Sequence, residues 1–376
     1  MNASAGRWRQ GSGQLRAFLP EVHGHRSKTL AFLVLGVVLA GTTRLPRVAE
    51  ALVGVSAAKT PSSERRLSRF LANPQLAVVP LWTHLLGQFL RFWRERRLVF
   101  VLDATSVGDR ATVRYLGLVV PSRLVPVSWQ VLPVHEKWEQ PQWEVVGVLL
   151  DRVIPHVGAA ECTLLADRGL VGHPLVHRWA QRGWHYVLRL SAAHTCQPTH
   201  GRWAQRWIPC RCLAPQRGRQ WYGAVQLWPE RPVSAQVSAT WEPQQREPWI
   251  ILSDRPAGRQ RVRAYARRMR VESTFQDRNR RGWDLEGTGI ADRARLDRLL
   301  LVLFVSLWWL AHLAAACVHH GQRARFDRHD RRDKGIFRLG RLWWLDRLRR
   351  TVTETTLHRC LPFRTTPTGG AFSLRF

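Results

Sequence analysis

LVFVLDATSV, residues 98–107, is an apolar run from Leu98 to Leu102 that stops at an acid, Asp103. So short a run, rich in branched and aromatic side chains, reads as a buried strand and not as a helix. TVRYLGLVV (112–120) and LVPVSWQVLP (124–133) follow, with Pro121 and Ser122 as turn residues between them, so residues 98–133 predict a meander of three strands. Helical spacing of Val145, Val146, Leu149 and Val153 comes next. ECTLLADRGL (161–170) then repeats the opening form, an apolar strand ending in an acid, Asp167. A helix over about 173–182 leads to the strand WHYVLRL (184–190). Strands alternating with helices make the fold α/β. Two strands that finish on aspartates place those acids at carboxyl ends, where sheets of this class bind ligands.

The chain around this core has 376 residues, 45% of them hydrophobic, enough for two or three domains with real cores. Its formal net charge of +31 would repel a compact state unless a polyanion offsets it, and nucleic acid is the usual polyanion for a basic protein, ahead of an anionic membrane surface. Only four residues (Lys28, Lys59, Lys137, Lys334) are lysine, so the positive charge is almost all arginine, the better phosphate fork. Six cysteines in this length do not make a disulfide scaffold and fit a reducing compartment. Cys196, Cys210 and Cys212 with His194 and His200 offer zinc ligands but lack the usual C-x₂-C knuckle, so zinc is disfavoured. The apolar stretch 30–40 could open a signal peptide, but helical sequence runs on without a cleavage site. Residues 299–318 are long enough to cross a bilayer, yet Ser306, His312 and the amphipathic turn before them favour a buried core helix, so no membrane partner is expected.

Upstream, residues 27–95 read as helices, with Ser27 capping the first, Pro46 near the start of the second and Thr60 capping the third with Pro61 at its first position. In the third, Leu67, Phe70 and Leu71 form an apolar stripe, while Arg65, Arg66 and Arg69 share another face. A helix-turn-helix DNA reader and a bundle with a solvated arginine face fit these residues equally well. Residues 191–248 are short, polar and rich in tryptophan, and read as a β-rich insertion outside the main sheet. WIILSDRP (249–256) returns to strand, and RRMRVESTFQDRNRRGWDLE (267–286) sets Glu272 among arginines on the helix that follows.

Asp103 and Asp167 end two strands that can be neighbours and Glu272 lies on a later helix that can pack across the sheet edge, so the three carboxylates can form a constellation. Cutting a phosphodiester calls for a pair of divalent ions about 4 Å apart. Magnesium takes hard oxygen ligands, with manganese as its substitute, and three acids on rigid elements are a minimal cage for it. Surrounding arginines would hold the phosphates. Spacing alone leaves the alternative open that the aspartates are strand-end turn residues and Glu272 an ion-pair partner within its helix.

From Tyr265 the sequence gives two residues, Arg268, three residues, Glu272, six residues and Asn279. This resembles the Y-(2)-R-(3)-E-(6)-K signature of bacterial insertion-sequence transposases of the DDE class, in the IS-four-type cut-and-paste group that excises through hairpin ends. The order of parts is similar too, from the RRLSRFL helix through LDATS, LADRGL and YVLRL to the β insertion and the signature helix. The resemblance covers about residues 25–345. It implies an α-helical DNA-binding domain over 1–95, an RNase H-like catalytic core over 96–190 and 249–320 interrupted by the β-rich insertion 191–248, and a basic region over 321–376. It implies that Asp103, Asp167 and Glu272 bind the metals and catalyse, and that Tyr265 and Arg268 contact the phosphates of the element end. Asn279 stands where the family has lysine, with Arg278 and Arg280 beside it to supply charge to DNA. The family holds a base flipped from the hairpin on a tryptophan of the insertion, a role open to Trp203, Trp207 or Trp221, with packing as the alternative for each.

The implied partners are double-stranded DNA, both terminal inverted repeats and target, and a second copy of the chain in a synaptic complex. The implied setting is the bacterial cytoplasm, at the nucleoid. The rival readings are a decayed or domesticated copy that binds DNA without cutting it, and a metal-dependent nuclease without strand transfer.

Overall fold

The computed structural model describes residues 24–53, 58–90, 97–120, 123–134, 141–172, 176, 181–269, 283–328 and 334–349. The predicted meander is β1 (Arg97–Val107), β2 (Ala111–Val120) and β3 (Arg123–Leu132), each antiparallel to the one before. The turn from β1 to β2 is tight because Gly108 takes φ +57°, a left-handed conformation that costs glycine little. β4 (Glu161–Ala166) then lies parallel to β1 on its other side. A parallel pair needs a crossover, and α5 (Gln142–Asp151) with α6 (Ile154–Val157) lies in it. β5 (His185–Leu190) adds parallel to β4.

The sheet does not end there. β10 (Trp249–Ser253) pairs antiparallel with β5, and β9 (Val233–Thr240), β8 (Gln220–Leu227), β6 (Thr195–Pro198) and β7 (Ile208–Pro209) continue outward from it. The result is one ten-stranded sheet in the order β3-β2-β1-β4-β5-β10-β9-β8-β6-β7. This corrects the expectation that residues 191–248 stand outside the main sheet. β10 covers the edge of β5, and its own far edge is satisfied by β9 of the insertion, which brings β8, β6 and β7 into the same sheet.

Among the described residues, four helices precede the sheet: α1 (Gly24–Ala40), α2 (Leu45–Ala51), α3 (Thr60–Ala72) and α4 (Val78–Leu90). Ser27 lies inside α1 and not at its cap, and Lys59 is the residue before α3, without a side-chain cap. Downstream come α7 (Arg259–Ala266), α8 (Arg293–His319) and α9 (Ile336–Arg349). Asp292 caps α8 by accepting from the Arg295 amide at 2.7 Å.

α8 is apolar around its whole circumference, the pattern of a helix enclosed on all sides. It is long and apolar enough to cross a membrane, but 89% of its most apolar window is buried by the rest of the chain, as the buried-helix reading expected. Its tryptophans are tied to the sheet. Trp308 donates Nε1–H to the Pro126 carbonyl at 3.0 Å and stacks on Phe89, ring centroids 4.6 Å apart. The N-terminal helices share this core. Arg298 of α8 donates to the carbonyls of Leu71 and Leu76 at 3.0 and 3.4 Å, and Arg295 donates to Ser68 Oγ at 3.0 Å.

Candidate active site

Leu102 on β1 is the register partner of Ala166 on β4. The next residue on each side is an aspartate, so parallel pairing at a strand spacing of about 4.8 Å brings Asp103 and Asp167 together. Asp167 follows the last residue of β4 and caps a short 3-10 turn, Arg168–Leu170. Asp103 lies inside β1, which runs on to Val107, so it is not the strand-end residue that the sequence suggested.

α7 lays its end across this pair. Arg268, in the 3-10 turn Arg267–Met269 that follows α7, reaches both acids with one nitrogen: Nη2 is 2.9 Å from Asp103 Oδ2 and 3.5 Å from Asp167 Oδ2. Tyr265 donates its hydroxyl to Asp167 Oδ1 at 3.1 Å. Backbone amides hold the carboxylates from behind, as Asp103 Oδ1 accepts from the Ala104 amide and Asp167 Oδ1 from the Arg168 amide, both at 2.8 Å.

Burial alone would push the Asp167 carboxyl up, but Arg268, the Arg168 amide, the Tyr265 hydroxyl and Arg189 together hold it below the usual carboxylate value. For Arg268 the balance has the same form. Desolvation would lower its pKa, and the charges of Asp103 and Asp167, with Tyr265 and Tyr115, raise it instead. Tyr265 is buried and keeps its proton, since desolvation raises its pKa.

The sequence missed a second layer. Arg189 on β5 lies 3.9 Å from Asp167, ion-pairs with Glu247 at 2.7 Å and packs over the Trp249 ring. Glu247 also takes Arg168 at 2.8 Å, and Trp249 meets Tyr265 edge to face, centroids 5.3 Å apart. Arg189 is the one charge inside the apolar run YVLRL, a signal that could have been read. Glu247 lies in a polar loop and carries none.

Glu272, Arg278, Asn279 and Arg280 lie outside the described residues. Among the described residues no three or more histidines, cysteines or acids are grouped to hold a metal, and Cys196 and Cys210 are instead buried against each other. The hard oxygens of Asp103 and Asp167 do fit a cation, since one positive group already stands within reach of both.

Of the proposed DNA contacts on α3, Arg65, Arg66 and Arg69 are all exposed, and Arg66 alone is also tied down. Arg66 donates to Thr29 Oγ1 at 2.9 Å and stacks over Phe32. Of the three tryptophans, Trp221 is covered by His200 and Trp203 by Arg202, while Trp207 is 39% exposed.

Residues 141–309 are similar to the transposase DDE domain, and that stretch contains Asp167, Tyr265, Arg268 and Glu272. Asp103 precedes the matched stretch and is joined to it through the sheet. No curated protein matches the chain. Among solved structures it is similar to a piggyBac transposase synaptic complex with hairpin DNA, at 9% identity and a TM-score of 0.44, over 98% of this chain and 87% of that one.

Proposed function

We propose that the protein is the DNA transposase of a bacterial insertion sequence, of the IS-four-type group, with an RNase H-like catalytic core. The observation that carries this reading is the meeting of Asp103 and Asp167, from two parallel strands, with Tyr265 and Arg268 of the signature stretch, in a chain whose residues 141–309 are similar to the transposase DDE domain. Asp103, Asp167 and Glu272 would hold divalent magnesium, which supplies the Lewis acidity that phosphodiester cleavage and strand transfer require.

The chain's own residues supply the rest. Buried Tyr265 keeps its hydroxyl protonated and orients Asp167. Arg268, with Arg278 and Arg280 flanking Asn279, supplies charge to the phosphates of the element end. Trp207 offers an open aromatic face on which a base displaced from a hairpin can stack. In the reaction, water nicks one strand at each inverted repeat, the freed 3′ hydroxyl attacks the opposite strand to close a hairpin, water reopens it, and the 3′ ends attack target DNA. Two copies of the chain hold the two ends in one complex, at the nucleoid.

The test is cleavage of supercoiled DNA carrying the flanking repeats, with magnesium or EDTA, by wild type, Asp103→Asn and Glu272→Ala. Cutting at the repeat ends by wild type alone, and only with magnesium, is expected. A variant that still cuts removes that acid from the site.

A further inference from the structure

Arg268 does more than lie near the acids. Its Nη2 stands between Asp103 and Asp167, at the point where their outward oxygens converge. The other oxygen of each acid is already held by a backbone amide, and Asp167 Oδ1 by Tyr265 as well. The oxygens that face Arg268 are therefore the ones a cation would use. The side chain is only 14% exposed, and its Nε is buried with no acceptor among the described residues. It satisfies the acids at the cost of one of its own donors, and a bidentate anion would satisfy it better.

Resting on the proposed function, we infer that Arg268 is the resident counter-ion of the acid pair in the DNA-free chain, and that a DNA phosphate must draw it out before a divalent ion can take its place. Metal and DNA would then load together. By linkage, each raises the affinity for the other by one common factor. Free metal would find the acids blocked until a strand is in position, so nuclease activity at the wrong moment is suppressed without any separate domain.

The experiment titrates Mn²⁺ into the full chain without DNA and follows the free ion by electron paramagnetic resonance. It compares wild type, Arg268→Gln, Arg189→Gln and Asp103→Asn. Arg268→Gln should bind Mn²⁺ about tenfold or more tighter than wild type, within the range of such couplings. Arg189→Gln removes an equal charge beside Asp167 without vacating the position between the acids, and should gain far less. A short random-sequence duplex should tighten Mn²⁺ binding to wild type and tighten it much less for Arg268→Gln.

If Arg268→Gln is unfolded without metal, Mn²⁺ should restore its circular dichroism, and failure to restore it counts against the inference. Equal gains in the two arginine variants, or no gain in either, with binding still dependent on Asp103, would overturn the counter-ion role and leave the metal reading intact. No Mn²⁺ binding by any variant, with or without duplex, would overturn both.

Discussion

At the residue scale the site is a balance between burial, which disfavours charge, and neighbours that restore it. Tyr265 shows the balance most plainly, because its hydroxyl is one of the groups that holds the Asp167 carboxyl below its ordinary pKa. Tyr265→Phe removes a hydrogen bond to a partly buried charge, and the loss should be about 1.5 kcal/mol at neutral pH. The sign of its pH dependence follows. A carboxyl whose folded pKa is depressed stabilises the fold above its unfolded value, about pH 3.9, and that stability is lost as pH falls through the folded value. The gap between wild type and Tyr265→Phe in urea melts should therefore be full at about pH 7 and shrink below about pH 4. A gap independent of pH would mean that the hydroxyl does not act on Asp167. Asp103, Asp167, Tyr265 and Arg268 were legible in the sequence because each stands in a short motif with its own spacing. Glu247 was not, since its role comes from a loop that folds back onto Arg168 and Arg189.

At the scale of elements, local patterns placed most of the strands but not their neighbours. β1 to β5 were readable because each is an apolar run bounded by turn residues. The attachment of β6 to β10 was not, because pairing at an edge depends on which backbone groups lie open there and leaves no mark in side-chain period. Helix starts were misjudged at Ser27 and Thr60 for a related reason, since a residue able to cap need not do so when tertiary packing fixes the end. The packing of α8 against α9 is decided by one glycine. A methyl group at Gly340 would lie 2.1 Å from the Leu310 carbonyl oxygen, a backbone atom that cannot swing aside. Gly340→Ala should cost about 3 kcal/mol and lower Tm by several degrees. At Gly169 a methyl meets open space, and Gly169→Ala should leave Tm nearly unchanged. Equal Tm values for the two variants would show that the helices separate without strain.

For the whole molecule, the shared core bears on how the proposed DNA partner would be gripped. A helix-turn-helix unit that folded alone would keep its apolar side chains to itself. Here α1, α3 and α4 bury Leu33, Leu67 and Leu85 in the same cluster as Leu303 and Trp308 of α8, and Arg298 crosses between them. A fragment of residues 1–95 should accordingly lose most of its helical circular dichroism, and a stable, fully helical fragment would show that α8 is dispensable. The full chain, at a formal charge of +31, should bind duplex DNA with log affinity falling steeply with log salt. The residues that set that slope are distinguishable. Arg65 and Arg69 point outward from α3, so replacing either with glutamine should reduce the slope by about 0.9, the share of one phosphate contact. Arg66, on the same helix, is tied to Thr29 and stacked on Phe32, and reaching a phosphate would break both contacts. Arg66→Gln should therefore lower Tm and leave the salt slope unchanged. A reduced slope with unaltered Tm would mean that Arg66 leaves Thr29 for the DNA, and that the basic face of α3 engages as a whole.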